Sequence, residues 1–399
     1  MKRAYWLLWL SQTLSRFGDG FFFIAVSWLV FARTGSPWAL GLLWCLRRGL
    51  TAVAGMLLGP VADRVDRRRL MVALDLCRAL LVAAPLAAAT AGALRTWELY
   101  AVLLSTAILA TPYQPSAYAV LARAVPREAL ARANAVLAGG LEVMYLVGPA
   151  LGGVFIARFG APRSMAVDAV TLGLSALLVL ALPKAVGTVS REARRAEAYR
   201  ASLAVGWRLI REDATLRALT VLNAVVGSTD MVFQVLMVPF VRLVLHGGAG
   251  AVGLLEASLS GGVILASLVA ARAGWTMGAR LTQLCVTAFC LGTAALALAP
   301  DLAWALGLQV AAGVATGLFQ IRSQVLFQSL VGDERLGRTL AGRSAVNAAS
   351  QSLSAVLAGA LPFVAGVAGA FGAFGLAGAV LSAALAVSRR GGAAAGARA

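Results

Sequence analysis

Twelve apolar runs dominate the chain, at roughly 6–31, 37–59, 70–92, 97–120, 136–157, 164–182, 216–243, 250–271, 279–299, 302–328, 341–365 and 367–387. A helix that crosses the hydrocarbon of a bilayer needs about 20 mostly apolar residues, and each run is of that order. Pro, Gly, Arg or acidic residues punctuate the breaks. A β-barrel would instead show short segments of alternating polarity. Composition agrees: 60% of the residues are hydrophobic and 13% charged, where soluble domains carry about 25% charged residues. The reading is an all-α membrane protein with twelve transmembrane spans, numbered in chain order. The start, "MKRAYWLLWL", resembles a secretory signal, but the apolar stretch continues past Arg16 and Asp19 to Phe31 without a small-residue cleavage site. It is therefore expected to be an uncleaved first span.

The net charge of +18 is distributed by topology. With the N-terminus inside, the cytoplasmic side receives Lys2, Arg3, the arginines after span 2 (Arg64, Arg67, Arg68, Arg69), those after span 4 (Arg123, Arg127, Arg132) and most of the rest. The opposite side keeps Arg33, Arg95, Arg158, Arg163 and Arg242. That bias is the positive-inside rule, with both termini cytoplasmic. Anionic lipid headgroups are the expected partners of the basic excess, and nucleic acid is not. The four cysteines (Cys45, Cys77, Cys285, Cys290) fall within apolar runs at no metal-ligand spacing, and His246 stands alone as an exposed loop histidine. No metal and no cofactor is expected.

The longest polar stretch, 183–215, splits the spans six and six, and part of it reads as an amphipathic helix on the inner leaflet. The expected organisation is a six-helix bundle over 1–182, a cytoplasmic linker over 183–215, a second bundle over 216–388 and a tail over 389–399. The halves resemble each other. "VPREALAR" (125–132) matches "VGDERLGR" (331–338) with one offset, and Gly18-Asp19 in span 1 corresponds to Thr229-Asp230 in span 7. Internal repeats of this kind build many transporters, with substrate bound near the midplane at the repeat interface.

A phosphate-binding loop would need G-x-x-x-x-G-K-[ST], and neither of the two lysines, Lys2 and Lys184, has that setting. Neither a nucleophile elbow nor H-E-x-x-H is present. An enzyme does not fit; a transporter driven by a gradient does. Ionisable residues inside a membrane are functional candidates by default. The acids are Asp19, Glu142, Asp168, Asp230 and Glu256, and the bases Arg16, Arg47, Arg48 and Arg322. A carboxylate in a low-dielectric site can take up and release protons near neutral pH. Asp19 and Asp230 lead, because the repeat makes them equivalent, followed by Glu142 and Glu256. The alternative for each is a salt bridge that only holds helices together. Asp168, near a span start, is expected to cap it. Gln320, Gln324 and Gln328 form one stripe on span 10, which either lines a wet cavity, with Gln234, or hydrogen-bonds between helices. Arg322 points about 160° away from that stripe. Aromatics on span 1 read mainly as lipid-facing.

"GPVADRVDRRRL" (59–70) resembles the signature loop of the major facilitator superfamily, through Gly59, Asp63, Arg64, Arg67 and Arg68, with Asp66 where the family usually has its second glycine. "SRFGDGFFFIAVSWLVFARTGSPWALGLL" (15–43) resembles the macrolide-efflux and enterobactin-exporter branch of its drug:proton antiporters. "GPALGG" is similar to the end of the antiporter motif, through Gly148, Pro149, Gly152 and Gly153, although Met144 stands where a glycine is usual. The resemblance implies the major facilitator fold: spans 1, 4, 7 and 10 around a cavity, Asp63 as a gating residue near the start of span 11, and alternating access by rocking of two halves.

The expectation is a monomeric, proton-coupled exporter of a drug-like, macrolide or siderophore-like small molecule in the bacterial inner membrane. A lipid or lysophospholipid transporter and a non-transporting sensor on the same scaffold are the rivals. Arg47 and Arg48 sit mid-span, where members of the branch usually have apolar residues or proline. Adjacent helical residues point about 100° apart, so the two cannot share partners. One is expected to attract an anionic group of the substrate while an intramembrane acid neutralises the other; the alternative is that both are structural. Aligning the halves puts Arg48 opposite Glu256.

Overall fold

The computed structural model describes residues 3–62, 65–187, 199–273, 279–331 and 333–396. Among these, the chain is helical from end to end: α1 (Arg3–Thr34), α2 (Pro37–Ala62), α3 (Arg67–Thr90), α4 (Thr96–Ala110), α5 (Tyr113–Ala124), α6 (Leu130–Phe159), α7 (Ala161–Leu180), α8 (Tyr199–Glu212), α9 (Ala214–Leu243), α10 (Ala249–Ala273), α11 (Ala279–Ala295), α12 (Leu302–Leu330), α13 (Asp333–Ala360) and α14 (Pro362–Gly396). Among the described residues, nine helical stretches are long and apolar enough to cross a membrane. Two of the other expected spans differ visibly from these: α13 carries Arg343, Asn347 and Gln351, and span 4 is broken into α4 and α5.

That break departs from the continuous span expected over 97–120. Pro112 has no N–H to continue the ladder, and Thr111 N bonds instead to Ile108 O at 3.2 Å in the tighter three-residue pattern. Pro362 opens α14, four residues before Gly366, whose φ of 69° kinks the helix. Loop aspartates fix other starts. Asp66 Oδ1 accepts from Arg69 N at 2.9 Å, Asp213 Oδ1 from Thr215 N at 2.7 Å and Leu216 N at 2.8 Å, and Asp301 Oδ1 from Trp304 N at 2.8 Å. Each such cap stabilises by about 1 kcal/mol.

The chain forms two compact units. The first comprises Met1–Gly35, Leu46–Ala196 and Gly248–Ala257; the second comprises Ser36–Cys45, Glu197–Gly247 and Ser258–Ala399. In the first, Tyr5, Leu8, Met71, Leu74, Tyr113, Val120 and Leu137 build a core between α1, α3, α5 and α6. In the second, Leu222, Val226, Val286, Phe289, Phe319 and Ala379 join α9, α11, α12 and α14. Helices α1 and α9 are the most enclosed spans: 67% and 72% of their apolar windows are buried, against 28% to 44% for the other seven. These two carry the Gly-Asp and Thr-Asp pairs that the repeat makes equivalent.

The linker contains the amphipathic helix expected there. On α8, Ile210 is buried, whereas Trp207, Arg208 and Arg211 are exposed. Gly342 of α13 lets the α8 backbone approach: a side-chain carbon there would stand 3.3 Å from the Gly206 carbonyl carbon.

Candidate functional site: a buried charge cluster beside a cavity

Helix α1 is glycine-marked where it meets α6 and α7. At position 20, a side-chain carbon would stand 2.8 Å from the Gly148 carbonyl carbon and from Pro149; at position 148, it would stand 2.8 Å from Phe17 O. Gly152 lies against Phe21, and a side-chain carbon at position 153 would stand 2.5 Å from Ala249 O. The glycines of the antiporter-like motif therefore set backbone-to-backbone packing. Close approach of these helices holds Asp19 deep within the unit, 8% exposed.

Two arginines meet Asp19. Arg78 Nη2 of α3 donates to Asp19 Oδ1 at 2.6 Å, and Arg16 Nη1 stands 3.5 Å from Asp19 Oδ2. Arg78 also lies 4.0 Å from Asp75 Oδ1, one turn earlier on its own helix. Asp75, 0% exposed, accepts from Tyr113 OH at 2.9 Å and from Ser175 Oγ at 2.7 Å. A third carboxylate, Asp168 of α7, is 1% exposed and accepts no hydrogen bond among the described residues. It does not cap its helix, because α7 begins at Ala161 and Asp168 lies two turns inside.

Beside the cluster is a cavity of about 160 Å³, walled by Gln12, Arg16 and Asp19 of α1, Arg47 of α2, Arg78 of α3 and the broken fourth span. Thr106 and Ala110 line it from α4, Tyr113 and Gln114 from α5. Arg47 reaches it with its guanidinium 4.8 Å from the Phe23 ring centroid, an attractive cation–π distance. Gln12 Nε2, on a side chain in a residue 5% exposed, finds no acceptor among the described residues. The wall presents guanidinium, amide and hydroxyl donors around a single carboxylate, that of Asp19, so it can hold a polar ligand or water.

Not every expected residue joins this site. Arg48 is half-buried and Glu142 exposed, and neither lines the cavity. Glu256 is half-buried on α10 in the same unit. In the second unit, Asp230 accepts from Gln234 Nε2 at 2.8 Å, one turn on. Of the glutamine stripe, Gln324 accepts from Arg343 Nη2 of α13 at 3.3 Å, while Gln320 and Gln328 are exposed and Arg322 is half-buried. The α9–α12 bridge is made by Asn223, which donates to Ser323 Oγ at 2.7 Å. In the signature loop, Asp63 and Arg64 lie outside the described residues, and Gly59 is in α2. Arg67 N bonds to Gly187 O at 2.9 Å, and Arg68 donates to the Leu180 carbonyl, so this loop holds the end of α7. Asp75 and Arg78 were absent from the expected set; their signal was an acid and a base three apart in an otherwise apolar run.

Known proteins resemble this chain along most of its length. The model of the Major Facilitator Superfamily matches residues 8–247. The multidrug efflux pump Tap of Mycobacterium tuberculosis is 26% identical over 370 residues, covering 90% of this chain and 87% of its own. Macrolide efflux protein A of Streptococcus pyogenes is 24% identical over 178 residues, 45% of this chain and 44% of that protein. Among solved structures, the nucleoside transporter NupG superposes with a TM-score of 0.72 at 13% identity, covering 97% and 99% of the two chains. A peptide transporter POT gives 0.74 at 13% identity, covering 98% and 95%. At such identities the structures speak for the fold, and these relatives and neighbours are transporters rather than enzymes.

Proposed function

Because the chain belongs to the major facilitator superfamily, we propose that it is a proton-coupled exporter of a drug-like, macrolide or siderophore-like small molecule, working by alternating access in the bacterial inner membrane. Asp19 carries this reading. Its carboxylate is on the wall of the cavity and is held by Arg78 and Arg16. Protonating it releases both guanidinium groups, and deprotonating it recaptures them, so one proton changes the polar surface that a ligand meets. Asp230 is its counterpart in the second unit, and Glu142 and Glu256 are subsidiary acids. Arg47 binds a polar or anionic group of the substrate from the same wall. The bundles over 1–182 and 216–388, joined by the 183–215 linker, act as a monomer with cytoplasmic termini and anionic lipids at the basic loops. The relatives named above as efflux pumps support the outward direction.

Inverted membrane vesicles test this. Adding an exported drug should collapse a preformed pH gradient in vesicles holding the wild-type chain, and Asp19→Asn and Asp230→Asn should each lose that response. Normal coupling in both variants would remove these acids from the proton path. Movement of labelled lysolipid without any drug response would replace the drug substrate with a lipid one.

A further inference from the structure

Three carboxylates converge on Arg78, and only one of them has no donor. Asp19 is held by Arg78 and Arg16, and Asp75 by Tyr113 and Ser175. Asp168 is as buried as either, yet both its oxygens lack a hydrogen bond among the described residues. It lies against α1 directly before Asp19: a side-chain carbon at Gly18 would stand 2.6 Å from Asp168 Oδ1. Helix α7 packs on α1, α3 and α6. The charged groups that face Asp168 are Asp19 from α1 and Asp75 and Arg78 from α3; α6 contributes none among the described residues.

A buried, ionised carboxylate without donors costs several kcal/mol, whereas the neutral acid does not carry that penalty.

We propose that Asp168 is a second proton site, filled in this state, and that Arg78 is a shared counter-ion that exchanges the proton between Asp168 and Asp19. In the exchange, the O–H bond at Asp168 breaks and one forms at Asp19. Arg78 keeps its own protons and moves its ion pair from Asp19 to Asp168. Asp19, on the cavity wall, then passes the proton to water. The cluster's net charge is unchanged while the proton moves between the two carboxyl groups, so that transfer needs no second ion, and it falls by one when Asp19 releases the proton to water. Asp168 acts behind the cavity as a store, and Asp19 as the port. This rests on the proton-coupled reading, but its test needs no substrate.

Infrared spectroscopy of the purified, full-length protein reads the carbonyl stretch of a protonated carboxyl group directly. The wild type at neutral pH should show that band, and Asp168→Asn should lose it. Asp19→Asn should lose it too, because Arg78 then turns to Asp168 and ionises it. Adding Arg78→Gln to Asp19→Asn should restore it. A band that persists in Asp168→Asn, or is missing from the wild type, overturns the proposal. A band that survives in Asp19→Asn overturns the exchange, leaving Asp168 a static buried acid. If Asp168→Asn does not fold, Asp168→Glu should shift the band, and an unshifted band also overturns the assignment. Drug-driven collapse of a pH gradient is scored separately. Its absence with the infrared pattern intact would remove the coupled-exporter reading and leave the proton site.

Discussion

Arg78 reaches from α3 to Asp19 on α1 across 2.6 Å while keeping Asp75 of its own helix at 4.0 Å. One guanidinium thus ties two spans and moderates two buried negative charges. In a low-dielectric interior, the attraction of such a pair offsets the loss of hydration only while both partners are present.

Removing the cation alone should therefore be worse than removing the pair. Arg78→Ala is expected to destabilise the protein by about 3–5 kcal/mol, the usual cost of stranding a buried charge. Arg78→Ala combined with Asp19→Ala should recover a measurable part of that loss. Thermal unfolding in detergent of the wild type, both single variants and the double variant gives the coupling energy.

The two mid-span arginines should behave differently. Arg47 lines the cavity and Arg48 does not. Arg47→Ala is expected to raise the KM for an exported drug roughly tenfold or more, the equivalent of one hydrogen bond to a charged group. Arg48→Ala should leave KM unchanged. Equal kinetics in the two variants would remove Arg47 from the substrate wall.

Glycine packing gives a third contrast. Gly20→Val and Gly153→Val drive a side chain into the facing backbone and should each cost about 1–3 kcal/mol or more, as overpacking does. Gly139 on α6 has no neighbour within 4 Å of an added side-chain carbon. Gly139→Ala should be neutral or stabilise α6 by up to about 1 kcal/mol. Midpoints of thermal unfolding decide between these.

At the start of α9, Asp213→Ala removes the acceptor for two amide groups. A loss of about 0.5–2 kcal/mol is expected, with faster hydrogen exchange at Thr215 and Leu216 and little change further along the helix.

The spans were legible in the sequence because lipid imposes a length and a polarity on every one of them. Span 1 read as 6–31 is α1 over Arg3–Thr34, and span 7 read as 216–243 is α9 over Ala214–Leu243. What periodicity could not show was the break at Pro112, since both fragments are apolar and the run looks continuous. Asp19 stood out because its repeat partner is also an acid. Asp75 and Arg78 have no such echo, and their meaning depends on which neighbouring helix they meet. Asp168 looked like a cap because it follows a loop closely. Helix α7 starts earlier, at Ala161, directly after Gly160, whose φ of 86° ends α6 and turns the chain into the next helix.

The contact of Arg47 with the Phe23 ring bears on how the protein is made. An isolated α2 would carry two arginines to the middle of the bilayer, at about 2.5–3.5 kcal/mol each. The helix that leaves the ribosome just before it, α1, already holds Phe23 as a partner for Arg47 and Asp19 on the same cavity wall. Synthesis order thus supplies the partners before the charges arrive. The first two helices are best regarded as a single insertion unit, and a permuted chain that began at α2 would enter the membrane poorly even if its finished fold were the same.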